Sequence, residues 1–211
     1  MKILSLELAT ERAGVAFVDT DCPEGYLEET WEEARARHGE LLPALDRLKR
    51  RGGWDWRELD LMVAGRGPGA FSGLRAGLLT VAFLAAPGGT PCRFVSSMEA
   101  AAKAWLGEQQ QAQAMVIGDA RRGHLWMGLV EADYGSPPCA WELIPGEQFA
   151  TRRPTGLPLL SPHLDRILAL AGADAIGLNP TPEATARLAW QREKDRAPAE
   201  PAIPLYLHPP V

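Results

Sequence analysis

The sequence predicts an α/β fold built on a mixed sheet, and three observations carry that reading. Strand-length apolar runs open the chain, an amphipathic helix and a glycine-punctuated strand-to-helix unit follow, and strands and helices then continue to alternate. Residues 2–8 and 13–19 are apolar runs rich in Ile, Leu, Val and Phe, joined by Ala9-Thr10-Glu11-Arg12, and read as a β-hairpin. A third strand is placed near Glu28 to Glu33. From His38 to Arg51, Leu41, Leu42, Leu45 and Leu48 recur at helical spacing; Arg47, Lys49, Arg50 and Arg51 gather toward the C-terminal end, and Gly52-Gly53 closes it. This helix is expected to begin near Gly39, with Pro43 in its first turn. Leu59 to Ala64 reads as a buried strand, Gly65 to Gly73 as a glycine-rich turn, and Leu74 to Ala86 as a helix apolar nearly all round, stopped by Pro87-Gly88-Gly89. Cys92 to Val95 is the next strand. Ser97 to Leu106 is a helix capped by Ser96 or Ser97. Met115 to Gly118 and Leu125 to Val130 form a strand pair, and helices are expected near Pro162 to Leu170 and Thr181 to Lys194. A boundary near residue 98 divides the chain into two lobes, 1–98 and 99–211.

With 211 residues, 46% hydrophobic and 23% charged, the chain has a globular composition. Glu7 interrupts the first apolar run, so no signal peptide or anchor is expected there, and no stretch reaches the roughly 20 apolar residues of a membrane span. Cys22, Cys92 and Cys139 form no C-x-x-C pair, and His38, His124, His163 and His208 show no metal-binding spacing, so neither a disulfide framework nor a metal site is expected. The net charge of −5 argues against a chain that grips nucleic acid by itself.

The glycine turn admits several readings. As a Walker A loop it lacks the Gly-Lys-Ser/Thr ending. As a dinucleotide fingerprint, Gly65-x-Gly67-x-x-Ala70 fits the glycines, but the strand that should end in a ribose-binding acid ends in Ser96-Ser97. The third reading is a resemblance. Gly67-Pro68-Gly69-Ala70-Phe71-Ser72-Gly73-Leu74-Arg75-Ala76-Gly77 resembles the G-P-G-S-F-T-G-L-R-x-G signature of the TsaB/YeaZ family, with Ala70 and Ser72 as mild departures. Ile3 to Thr10 resembles I-L-A-I-D-T-A-T, and His38-Gly39-Glu40-Leu41-Leu42-Pro43 resembles H-S-E-x-L-L-P. Asp119 to Gly123 matches D-A-R-x-G, and Pro204-Leu205-Tyr206-Leu207 matches P-x-Y-L.

The resemblance implies an actin-like, RNase H-like fold of two lobes, the second reduced. It implies a cytoplasmic subunit that pairs with the catalytic protein TsaD, recruits the ATPase TsaE, and pairs with a second copy of itself when alone. A separate enzyme makes threonylcarbamoyl-adenylate, and TsaD transfers the group to the N6 of adenosine 37 in tRNA. This chain would support that transfer without catalysing it, touching tRNA only through the complex. No cofactor of its own is expected beyond weak nucleotide binding, ATP being used by the partner subunits. The rival reading is a self-sufficient enzyme, either a small actin-like ATPase or kinase, or a peptidase. The absent phosphate-loop glycines and nucleophile sets count against it.

The residues with candidate roles follow. The glycine turn contributes Gly67, Pro68, Gly69, Phe71, Ser72 and Gly73. Two helices in the first lobe are expected to form half of a four-helix bundle with a partner, through His38, Leu41, Leu42, Leu45, Leu48, Leu74, Arg75, Leu78 and Val81. The long helix also presents Leu79, Phe83 and Ala86 on another face, more apolar surface than one small sheet covers. Glu7 and Thr10, with Asp119 and Arg121, are read as cleft residues, Glu7 standing where the family has an aspartate. A structural role is the competing reading for each.

Overall fold

The computed structural model describes residues 1–22, 25–33 and 39–207. They form two compact units, Met1–Ala100 with Pro180–Leu205, and Ala101–Asn179 with Tyr206 and Leu207.

The first unit is a five-stranded mixed sheet in the order β3-β2-β1-β4-β5. The N-terminal hairpin pairs β1 (Lys2–Glu7) antiparallel with β2 (Arg12–Asp19), and β3 (Tyr26–Glu32) extends it. β4 (Leu61–Gly65) and β5 (Cys92–Val95) add parallel to β1, which requires crossover connections. Side chains alternate across a strand, so Leu4 and Leu6 of β1 and Met62 and Ala64 of β4 share one face. Over that face lie α1 (Leu41–Gly52) and α2 (Phe71–Ala85). The other face carries Glu7 and is covered by α6 (Pro182–Lys194), which buries Ala184, Thr185, Ala186, Leu188 and Ala189. α1 closes as its sequence requires: Lys49, Arg50 and Arg51 occupy the last turn and Gly53 takes the left-handed conformation at φ 64°. Thr181 caps α6 by accepting a hydrogen bond from the Ala184 N–H at 3.1 Å, with Pro182 at the first helical position. Trp54 is buried, stacked on Phe17 with ring centroids 4.7 Å apart.

The expected division into 1–98 and 99–211 therefore differs from the one observed in the placement of α6. The chain returns to the first unit at Pro180, because the second face of its sheet needs an apolar cover and α6 supplies it.

The second unit holds a sheet ordered β10-β9-β6-β7-β8. β6 (Gln113–Arg121) and β7 (His124–Glu131) form an antiparallel pair, extended by β8 (Glu142–Pro145) on one side and by the parallel β9 (Leu159–Ser161) and β10 (Ile176–Gly177) on the other. Its core joins Met115, Ile117, Leu125, Met127 and Ile144, with Phe149 of the short α4 (Phe149–Arg152), to Ile167 of α5 (Leu164–Ala171). The boundary between the units falls inside α3 (Ser97–Gln109). Lys103 of that helix is buried with its ammonium donating to the Glu131 and Asp133 carbonyls and to Ser136 Oγ, which satisfies all three of its donors. No helix among the described residues is long and apolar enough to cross a membrane.

Candidate functional site

β1 ends at Glu7 and β4, its parallel neighbour, ends at Gly65, so the hairpin turn and the glycine turn emerge at the same edge of the first sheet. In open α/β sheets this edge is where ligands bind. Here the protein itself fills it. The Ala70 N–H donates to the Ala9 carbonyl at 2.7 Å, docking the glycine turn onto the hairpin turn. A Cβ at Gly69 would collide with that same carbonyl, so glycine is required for contact within the chain and not for approach to a phosphate. The far side of the turn is equally engaged. Gly67 donates to Ser97 Oγ at 3.1 Å, and its carbonyl accepts from the Ser97 N–H and from Ser96 Oγ, both at 2.9 Å. Gly67 takes φ 96°, and the Gly67–Pro68 peptide is cis.

Glu7 lies beneath this arrangement, fully buried. Its Oε1 accepts from the Ala9 N–H at 2.9 Å and its Oε2 accepts from Thr185 Oγ1 at 2.8 Å, with Ser97 as a further side-chain partner. Room for the carboxyl exists because residue 65 is glycine: a Cβ there would overlap Glu7 Oε2 and crowd Ser97 Oγ. Burial raises the Glu7 pKa from 4.5 to about 7, the hydrogen bonds from Thr185, Ala9, Ser97 and Leu8 offsetting only part of the desolvation. The expectation of Glu7 as a cleft residue is corrected accordingly. It faces neither solvent nor a ligand space, because α6 covers it with Thr185.

Thr10 is half-buried and donates to the Arg12 carbonyl at 3.1 Å, bracing the hairpin turn. Asp119 and Arg121 belong to the second unit, at the β6–β7 turn, where Arg121, Arg122 and Gly123 take φ 72°, 54° and 75°. Asp119 stabilises that turn: Oδ1 accepts from the Arg121 N–H at 2.7 Å, and Oδ2 accepts from the Arg166 guanidinium at 2.7 Å. Its own N–H donates to His163 Nδ1 at 3.2 Å. Both residues have the geometry of the turn reading. Among the described residues no cluster of three or more His, Cys, Asp or Glu side chains is placed to hold a metal ion.

The expected bundle residues separate into two sets. Leu41, Leu45 and Leu48 of α1 and Leu74, Leu78 and Val81 of α2 are all at most 5% exposed, turned onto their own unit, so they are core and do not face a partner. The sheet is broad enough to cover the α2 face carrying Leu74, Leu78, Val81 and Ala85. The opposite stripe of α2 stands open: Phe71 is 53% exposed, Leu79 58% and Phe83 74%, with Leu42 of α1 at 68%. Arg75, also on this stripe, lays its guanidinium over the Phe71 ring at 3.8 Å. Gly73 is buried in the first turn of α2 and Ser72 is half-buried. His38 lies outside the described residues.

The sequence does not point to Thr185, nor to Ser97 as a partner of Glu7 and Gly67. The signal for Thr185 was a polar residue within Ala184-Thr185-Ala186 on a helix face that Ala and Leu otherwise dominate. Nothing in the sequence paired it with Glu7.

The family model described as TsaD, tRNA N6-adenosine threonylcarbamoyltransferase, matches residues 31–150. Curated relatives named tRNA threonylcarbamoyladenosine biosynthesis protein TsaB are 26% identical in Escherichia coli, over 63% of this chain and 56% of that protein, and 28% identical in Haemophilus influenzae, over 62% and 54%. The chain belongs to the TsaB/YeaZ family. YeaZ from Pseudomonas aeruginosa shares its fold, with a TM-score of 0.80 and 24% identity over 98% of this chain and 99% of that one. The sequence matches to the curated relatives span little more than half of their length.

Proposed function

We propose that this TsaB-family chain is a non-catalytic subunit in the synthesis of N6-threonylcarbamoyladenosine on tRNA, pairing with TsaD and recruiting TsaE. The observation that carries this reading is the self-filled sheet edge. The place where an actin-like fold would cradle phosphate is occupied by the chain's own hairpin, glycine turn and Thr185, with Glu7 sealed beneath. A carboxyl that water cannot reach does not act as a metal ligand or general base for an external substrate. The same filling leaves nucleotide binding at this edge weak at best.

The partner surface is the open stripe of α2. A solvent-facing stripe with Phe71, Leu79 and Phe83, and Arg75 laid along it, is costly to leave in water and fits a helix from another protein. That partner is TsaD, or a second copy of this chain when TsaD is absent. With a net charge of −5, the chain leaves most of the tRNA to the other subunits, and its place is the cytoplasm.

Reconstitution tests the reading. This chain with the adenylate-forming enzyme is expected to leave tRNA unmodified, and adding TsaD and TsaE is expected to produce threonylcarbamoyladenosine. Modification in the absence of TsaD would show that the chain catalyses the transfer.

A further inference from the structure

Beyond α6, residues 195–205 run back across the first unit, held by the guanidinium groups of Arg66, Arg93 and Arg192. Arg196 takes φ 53° and turns the backbone out of the helix. The Arg93 guanidinium donates to the Ala197 carbonyl at 2.8 Å and to Glu193 at 2.6 Å. Glu200 then receives two guanidinium groups, from Arg66 at 3.0 Å and from Arg192. Arg192 also pairs with Glu99, both carboxylate oxygens lying 2.9 Å from its Nη2. Arg66 reaches further along the segment: its Nε donates to the Ile203 carbonyl at 3.1 Å, and its own carbonyl accepts from the Leu205 N–H at 2.8 Å.

These side chains are almost wholly removed from water, Arg66 at 7%, Arg192 at 5%, Glu99 at 1% and Glu200 at 15%. Two arginines and two carboxylates balance within the network, so removing one carboxylate leaves a buried positive charge without its counterpart. Arg66 lies in the glycine turn, directly after β4. Its N–H is fixed to the Val95 carbonyl, and the next residue, Gly67, holds Ser96 and Ser97. Whatever fixes Arg66 therefore fixes the turn from which α2 starts.

We propose that residues 197–205 form a strap that locks the glycine turn, and with it the first turn of α2, through Arg66, and that releasing it weakens partner binding. The closing Pro204-Leu205-Tyr206-Leu207 motif thereby acquires a physical task, since the Leu205 amide is the strap's last fastening onto Arg66. Only the consequence for binding rests on the reading of α2 as the partner helix.

Hydrogen exchange on the full-length chain, with TsaD affinity measured in parallel, tests this. Two variants are compared with the unaltered protein: Glu200→Gln, which keeps the shape and removes the charge, and deletion of residues 201–211, which removes the Ile203 carbonyl and the Leu205 amide. In both, the Gly67 and Ala70 amides should exchange about tenfold faster or more by local opening, with those of Leu4 and Met62 unchanged. TsaD affinity should fall in step. If the strap frays while Gly67 and Ala70 keep their protection, the proposal is overturned. It is equally overturned if Leu4 and Met62 accelerate together with the turn or if both variants fail to fold, because the strap is then core and not a lock. Failure of the unaltered chain to bind TsaD sinks the functional reading instead, and the exchange data still decide the strap.

Discussion

Leu78→Glu is expected to unfold this protein, whereas Phe83→Glu should leave it folded and unable to pair. The two residues lie on opposite sides of α2, Leu78 at 5% and Phe83 at 74% exposure. Leu78 sits in the cluster that joins Leu4, Leu6, Met62 and Leu45, so its replacement forfeits roughly 1.5–3 kcal/mol of apolar burial and places a carboxylate with no cationic partner in the core. The combined cost, about 5 kcal/mol, is comparable to the whole stability of an ordinary domain. Leu45→Glu on α1 should behave the same way, since Leu45 belongs to the same cluster. Phe83 contributes little to that core, so its replacement should change stability by no more than about 1 kcal/mol. Circular dichroism melts paired with a TsaD pull-down separate the cases. A folded, non-pairing Leu78→Glu protein would place the interface on the buried face, against the packing seen here.

The second large effect is on pH dependence, through Glu7. Its pKa is 4.5 when solvated and about 7 in the fold, so the unfolded chain releases this proton at lower pH than the folded one. Between those values the unfolded state binds fewer protons, and linkage makes stability fall as pH rises. The contribution of protonated Glu7 is fully present below about pH 4.5 and is lost by about pH 7, a difference on the order of 3 kcal/mol. Glu7→Gln removes the titration while keeping an oxygen for the Ala9 N–H and an amide that can donate to Thr185 or Ser97. The variant should therefore lose the decline between pH 4.5 and 7 and be more stable than the natural protein at pH 8. Urea unfolding at several pH values checks this. An unchanged slope through that window would mean that the folded carboxyl is already ionised and solvated.

Much of the fold was legible in the sequence because its signals are local. The hairpin, the α1 periodicity with its Gly-Gly stop and the Thr181-Pro182 start of α6 are set by neighbouring residues, and the glycine turn stands out by composition. What stayed hidden depends on distance along the chain or on missing contrast. Glu7 and Thr185 are 178 residues apart, so no pattern shows that a helix near the C-terminus seals a carboxyl near the N-terminus. The same separation concealed the return of α6 to the first unit. α2 is apolar nearly all round, so its sequence does not say which side meets the sheet; Leu78 and Leu79 are equivalent until the sheet is in place. The site was legible as a location, the edge where β1 and β4 end, but not as a closed one. The side chains that close it are a serine and a threonine with no motif of their own.

If this chain works by pairing with TsaD, the mass of the two in mixture measures it directly. Multi-angle light scattering on equimolar chain and TsaD at micromolar concentration should give a species whose mass contains both proteins. The same experiment with Phe83→Glu should give the separate proteins. Separate proteins from the unaltered mixture, or a complex that Phe83→Glu leaves intact, would contradict respectively the pairing and the surface assigned to it.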